Sequence, residues 1–175
     1  MGELWDLYDE NRNPVEALHE RGKDLPENRY HIVVYIWTVN REGKILIDQR
    51  HPDKHFGLQW ECTGGSVLAG ESSLEGAVRE LGEELGLFIE QKHLQKIDTV
   101  RVKDRFVDTY LNITDAKVSD LVLQETEVVD AKYVSFEELI QLWEKGMFSP
   151  RERFKRYRDK LEEIVRRLEG GHDID

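Results

Sequence analysis

A mixed α/β fold is predicted by three features of this 175-residue chain. Segments rich in β-branched and aromatic residues recur from residue 4 to residue 134, the composition of strands. Residues 72–85 interrupt them with a helix that carries its own start and stop residues. Two further helical patterns follow the last strand.

Residues 4–8 and 15–18 alternate, or nearly so, across Asp9-Glu10-Asn11-Arg12-Asn13-Pro14, and predict a hairpin. Residues 19–29 are polar, contain Gly22 and Pro26, and read as a linker. Residues 30–39, dense in Ile, Val and aromatics, form the strongest strand pattern. Asn40-Arg41-Glu42-Gly43 turns it into a second strand at 44–48. In the helix at 72–85, Ser72 or Ser73 stands as N-cap, Glu75 completes a capping box with Ser72, and Gly86 supplies the stop. Residues 97–102 and 106–113 pair antiparallel around Lys103-Asp104-Arg105, and 128–134 is a further strand. Ser135 and Glu138 form a second capping box for a helix at 136–145. Phe154, Tyr157, Leu161, Ile164 and Leu168 recur at three- and four-residue spacing within a basic region, which predicts an amphipathic C-terminal helix. The expected organisation is one domain over 1–175. It comprises an N-terminal hairpin and linker (1–29), a core (30–148) and a C-terminal helix and tail (149–175).

Composition excludes several function classes. With 39% hydrophobic and 35% charged residues, the chain reads as a soluble globular protein. The single cysteine, Cys62, leaves no internal disulfide and suits a reducing compartment. No apolar run approaches the ~20 residues of a membrane span, and the acidic N-terminus lacks a signal-peptide core; cytoplasm is expected. A net charge of −11 argues against a nucleic-acid polymer or an anionic membrane as partner.

The helix at 72–85 concentrates the chemistry. Glu80, Glu83 and Glu84 stand at i, i+3 and i+4, so their carboxylates share one face. Like charges at that spacing cost roughly 0.2–0.5 kcal/mol per pair, and no lysine is interleaved. Most charge runs are solvated faces. Here Gly64-Gly65 and Gly70 turn the chain beside the acids, so loop, acidic helix and stop form one unit. Oxygen-only ligands suit Mg²⁺ or Mn²⁺.

From Gly65 to Leu87 the chain reads G-x5-E-x7-R-E-L-x-E-E-x-G-L, which resembles the signature of the Nudix hydrolase family. Gly65, Glu71, Arg79, Glu80, Glu83, Glu84 and Gly86 fill its fixed positions, with Leu81 and Leu87 at the aliphatic ones. Seven such matches arise by chance about once in 10⁸ starting points. The resemblance implies an α/β/α sandwich with a mixed sheet, and hydrolysis of a diphosphate linkage in a nucleoside diphosphate derivative or related small molecule. It also implies a possible homodimer.

A divalent ion would neutralise the phosphates and activate the attacking water. Glu80 and Glu84, one turn apart, are the expected principal ligands, with Glu83 near enough for a second ion and the Gly65 carbonyl available. Arg79 is turned about 100° from its neighbour Glu80. It suits an ion pair with Glu71 or a ligand carboxylate better than a substrate clamp. Glu71 also favours the helix dipole. Family members often draw a general base from a loop far downstream, where Glu125 and Glu127 are the candidates and Glu127 is preferred. A base within the helix, Glu80 or Glu83, is the alternative. Arg50 and Lys54, in a loop with His51 and His55, are possible phosphate contacts. Trp60 and Cys62 read as packing residues.

The flanks, including Glu3 to Glu10, His19-Glu20-Arg21-Gly22 and Asp48-Gln49-Arg50, resemble the Nudix branch similar to type I isopentenyl-diphosphate isomerase. That isomerase places a Gly-His pair directly after its cysteine. Here Cys62 is followed by Thr63-Gly64-Gly65-Ser66, displaced by about two positions, and only His31 matches an isomerase histidine. Hydrolysis is therefore preferred, with isomerisation as the alternative. A nucleotide-sensing module without catalysis ranks below both, because no glutamate of the signature is missing.

Overall fold

The computed structural model describes residues 2–149, 151–172 and 174; Met1, Pro150, Asp173 and Asp175, within the expected N-terminal segment and tail, lie outside the described residues. Strands β1 (Leu4–Tyr8) and β2 (Pro14–Glu20) form a separate antiparallel hairpin. The main sheet contains β3 (His31–Val39), β4 (Ile45–Arg50), β5 (Trp60–Glu61), β6 (Gly64–Ser66), β7 (Leu94–Val102), β8 (Arg105–Ile113) and β9 (Val128–Val134). Its central path runs β5-β4-β3-β8-β7, with β6 on β3 and β9 on β4. β3 and β8 are parallel along nine residue pairs, whereas the other pairings are antiparallel, so the sheet is mixed.

Side-chain alternation along β3 explains how the layers form. Ile32, Val34 and Ile36 point to one face, where α1 (Ser73–Leu85) packs Ala77, Leu81 and Leu85 against them. Trp37 and Val39 point to the other face. There α2 (Phe136–Glu144) contributes Phe136 and Leu139, and α3 (Arg151–Glu169) contributes Phe154, Tyr157, Leu161 and Leu168. With both faces covered, β3 is almost wholly apolar, as a central strand must be. The result is the expected α/β/α sandwich. No helix among the described residues is long and apolar enough to cross a membrane.

Both capping boxes form as the sequence indicates. Glu75 N–H bonds Ser72 Oγ at 3.2 Å while Glu75 Oε2 accepts from Ser72 N–H at 2.8 Å. Ser135 and Glu138 repeat the arrangement at 3.2 and 2.7 Å. Gly86 ends α1 at φ 64°, the left-handed conformation that only glycine adopts without strain.

Strand limits differ where partners, rather than local composition, decide them. β2 continues to Glu20 because its backbone pairs with Leu4, into the stretch whose polarity suggests a linker. β4 extends to Arg50 by pairing with β9, and β7 begins at Leu94 across a bulge at Lys96/Asp98. β5 and β6, two and three residues long, have no sequence signature and exist through their neighbours.

Candidate active site

The last two turns of α1 carry Glu80, Glu83 and Glu84, and the final turn has no basic residue to match the negative end of the helix dipole. Glu80 and Glu84 are buried, whereas the Glu83 side chain is 52% exposed. β6 lies directly against them. A Cβ on Gly65 would fall within the Glu80 carboxylate, so that carboxylate keeps its position against the strand only beside glycine.

Arg79 occupies the centre of this surface. Its Nε donates to Glu71 Oε1 at 2.8 Å, Nη1 to Glu80 at 2.9 Å and Glu83 at 2.8 Å, and Nη2 to the Ser66 carbonyl at 2.9 Å. Burial acts to lower its pKa, but Glu71, Glu80 and Glu83 outweigh it and hold the guanidinium above its ordinary value. Glu71 also accepts from Leu68 N–H at 3.0 Å, tying the turn before α1 to the same arginine.

Glu84 has no such partner. Its Oε2 is buried and bonds nothing among the described residues. Burial pushes its pKa well above the carboxylate range, reinforced by Asp48, Glu80 and Glu61. Asp48 of β4 is also buried, with Oδ2 bonded by Thr63 Oγ1 at 2.9 Å and Oδ1 unpartnered. Burial and Glu61 raise its pKa in turn. Asp48 and Glu61 are directly opposed between β4 and β5, an unfavourable like-charge pair relieved by the short Arg50–Glu61 ion pair.

The helix end is completed by the loop before β9. Val122 N–H donates to Leu85 O at 2.9 Å and Gln124 N–H to Glu84 O at 3.1 Å, satisfying carbonyls that α1 leaves open. This brings Glu127 to the site, where it pairs closely with Lys54. Glu125, two residues earlier, is exposed and outside the cleft lining.

Together these elements line a cleft of about 290 Å³. Arg50, Lys54, Gly65, Arg79, Glu80, Glu83, Glu84 and Glu127 all border it, and Glu71 reaches it through Arg79. Sequence reasoning missed Asp48 and Glu61 behind Glu84, and Glu3, Arg21 and Arg105 at the mouth. Asp48 did carry a faint mark: a carboxylate directly after the apolar run Ile45-Leu46-Ile47. Arg21 fell in the supposed linker and Arg105 in a supposed turn.

The donor set of Glu80, Glu83 and Glu84 is all oxygen, and the orphaned Glu84 Oε2 is an acceptor waiting for a positive partner, so the residues fit a divalent cation of the Mg²⁺ type. Among the described residues no three His, Cys, Asp or Glu side chains converge on one point as they stand, and Arg79 holds Glu80 and Glu83.

Comparison with known proteins identifies the family and the fold. The NUDIX domain family matches residues 29–156. An uncharacterized Nudix hydrolase of Listeria monocytogenes is 37% identical over 150 residues, covering 85% of this chain and 89% of that protein. A CTP pyrophosphohydrolase of Escherichia coli is 45% identical over 56 residues, 32% of this chain and 42% of that protein. A crystal structure of a Deinococcus radiodurans protein shares the fold at a TM-score of 0.70, with 24% identity over 95% of this chain and 99% of the other. From the family match and the Listeria relative together, the chain belongs to the Nudix hydrolases, enzymes that hydrolyse diphosphate linkages.

Proposed function

We propose that the enzyme hydrolyses a nucleoside diphosphate derivative, or a related small diphosphate, by attack of water at phosphorus in the cleft beside α1. The observation that carries this reading is Glu84: a buried carboxylate whose Oε2 has no hydrogen-bond donor, at the edge of a cleft lined by other glutamates. Glu80, Glu83, Glu84 and the Gly65 carbonyl would hold Mg²⁺ or Mn²⁺, which supplies charge neutralisation and activation of water.

The chain's own residues do the remaining work. Arg79 fixes Glu71, Glu80 and Glu83 in one rigid array. Glu127 is placed to take the proton of the attacking water, with Lys54 orienting its carboxylate. The new P–O bond forms from water as the bridging P–O bond breaks, and the second phosphate leaves with the bond's electrons.

Two observations favour a polar substrate and hydrolysis over isomerisation of a prenyl diphosphate. Among the described residues lining the cleft, Val33 and Tyr35 are the only apolar or aromatic side chains, too little wall for a prenyl chain. Cys62 is 1% exposed and away from the cleft, with its thiol pushed by burial up to about 12. The resemblance of a segment of this chain to a CTP pyrophosphohydrolase supports a nucleotide.

The test is a panel of nucleoside diphosphates, nucleotide sugars, dinucleotides and prenyl diphosphates, scored for release of monophosphate esters or inorganic phosphate with millimolar Mg²⁺ and again in EDTA. Release from at least one polar diphosphate, abolished by EDTA, is expected. Undiminished activity in chelator would defeat the metal assignment. Conversion of isopentenyl diphosphate to its isomer, lost in Cys62→Ala, would reverse the choice of reaction.

A further inference from the structure

The five cations that line the cleft are not equally engaged. Arg79 is saturated by Glu71, Glu80, Glu83 and Ser66 O. Arg50 is held by Glu61 and donates to His55 O at 2.8 Å, and Lys54 is held by Glu127. These three side chains are only 18–20% exposed.

Arg21 and Arg105 differ in both respects. Arg21, one residue beyond β2, gives one side-chain hydrogen bond, Nη1 to Glu3 Oε2 at 2.7 Å, within a pair whose side chains are 56% and 45% exposed. Arg105, the first residue of β8, donates only Nε to Asp104 at 2.8 Å, in a pair 39% and 48% exposed. Its two terminal nitrogens bond nothing among the described residues. Ion pairs this exposed are weak and readily exchanged for a better anion. A guanidinium with free terminal N–H groups matches two oxygens of a phosphate in a fork.

The backbones beneath these two arginines are fixed. The hairpin bearing Arg21 is bolted to the core by Tyr8–Tyr30 backbone bonds of 2.8 and 3.0 Å, by Ala69 N–H to Leu4 O at 2.8 Å and by Gly70 N–H to Asp6 at 2.7 Å. Trp5 stacks on His31 at 4.2 Å, and His31 in turn sits in register with Arg105 between β3 and β8. Both arginines border the same cleft as Glu80, Glu83 and Glu84.

We propose that Arg21 and Arg105 form the anionic subsite for the phosphate that is not attacked, so that the N-terminal hairpin is part of the substrate site. This rests on the diphosphate reading above and extends it. The carboxylate end takes the reacting phosphate through its cation, while the arginine end takes the other without metal. Glu3 and Asp104 occupy the arginines until substrate displaces them.

The test is calorimetric binding of methylenediphosphonate, a diphosphate that cannot be hydrolysed, to the full chain with Mg²⁺. Arg21→Gln and Arg105→Gln should each weaken binding about 10-fold or more, the worth of a charged hydrogen-bonded contact. Arg105→Lys should restore only part, since an ammonium cannot fork. Glu3→Gln, which frees Arg21, should tighten binding. In turnover, the Gln variants should raise KM more than they lower kcat. Wild-type affinity in both Gln variants would overturn the subsite and leave the hydrolase reading standing. Absence of binding by the wild-type protein with Mg²⁺ would overturn both.

Discussion

Asp108 and Glu84 are both buried carboxylates next to α1, yet the protein treats them in opposite ways. Asp108, fully buried on β8, accepts from Arg12 Nη1 at 2.7 Å, Lys96 at 2.9 Å, Ser73 Oγ at 2.5 Å and Thr99 Oγ1 at 2.7 Å. Burial alone would raise its pKa, but these donors outweigh it and hold the group below the usual carboxylate range. Glu84 receives no donor at Oε2, and burial with its acidic neighbours drives it the other way. A buried charge is tolerated when paired and costly when not. Asp108 is therefore a structural charge that joins the hairpin tip, β7 and the start of α1. Glu84 is a vacancy in the protein's own charge balance, the arrangement expected where a ligand completes it.

The largest effect should come from filling that vacancy wrongly. Glu84→Gln should reduce turnover to the level left by EDTA and weaken Mg²⁺ binding by more than about 100-fold, since even outer partners of metal ligands are worth 10–100-fold. The metal-free variant should melt no lower than the metal-free wild type, because the change removes a buried acid and one like-charge pair. Normal metal affinity in this variant, measured by calorimetry, would move the site elsewhere. Mg²⁺ binding to the wild type should release more protons as the pH is lowered, because burial raises the pKa of Glu84 and Asp48 and the cation competes with protons for such carboxylates.

Glu127 sharpens the contrast, as a carboxylate placed in the cleft with a lysine partner. Glu127→Gln should lower kcat by about 10²–10⁴-fold with metal affinity nearly unchanged. Glu125→Gln, outside the cleft lining, should leave both near the wild-type values. If only the Glu125 change stopped turnover, the base would be Glu125; if neither did, it would lie on α1 at Glu80 or Glu83.

Asp108→Asn should behave oppositely to Glu84→Gln. It leaves Arg12 and Lys96 without their counter-charge and should cost about 3 kcal/mol, read as a lower urea midpoint. A neutral result would mean that the donors around Asp108 contribute little to folding.

The legibility of these features follows from the range of the interactions that make them. α1 could be bounded to within a residue because Ser72, Glu75 and Gly86 act on backbone groups three or four residues away. β3 and β8 were evident because both faces of the central strands are covered, which enriches them in apolar residues. By contrast, Arg12 and Asp108 are 96 residues apart, and nothing in the turn at 9–14 announces the pairing. Asp48 and Glu61 meet only through a two-residue strand whose register is set by tertiary context. Arg21 and Arg105 looked like linker and turn residues, because Arg21 reaches the cleft through the docking of the hairpin and Arg105 through the pairing of β8 with β3.

His31 gives the comparison a third case, a buried base without a partner at Nδ1. It lies under Trp5, near His19, Asp104 and Arg105. Burial, aided by Arg105 and His19 against Asp104, lowers its pKa from 6.5 to about 4. The unfolded chain then binds more protons than the folded one between these values, so stability is complete above pH 6.5 and falls as the pH drops through 4. The full window corresponds to about 3 kcal/mol. Urea unfolding at pH 7.5 and pH 4.5 should therefore separate wild type from His31→Phe, which keeps a ring against Trp5 but cannot titrate. The wild type should lose stability over that interval by more than the variant does. Asp108 contributes nothing to the difference, since its carboxylate stays bonded and ionised in both proteins at these pH values. Equal losses in the two proteins would mean that the neutral histidine does not hold the hairpin, and that the acid sensitivity arises in the carboxylates.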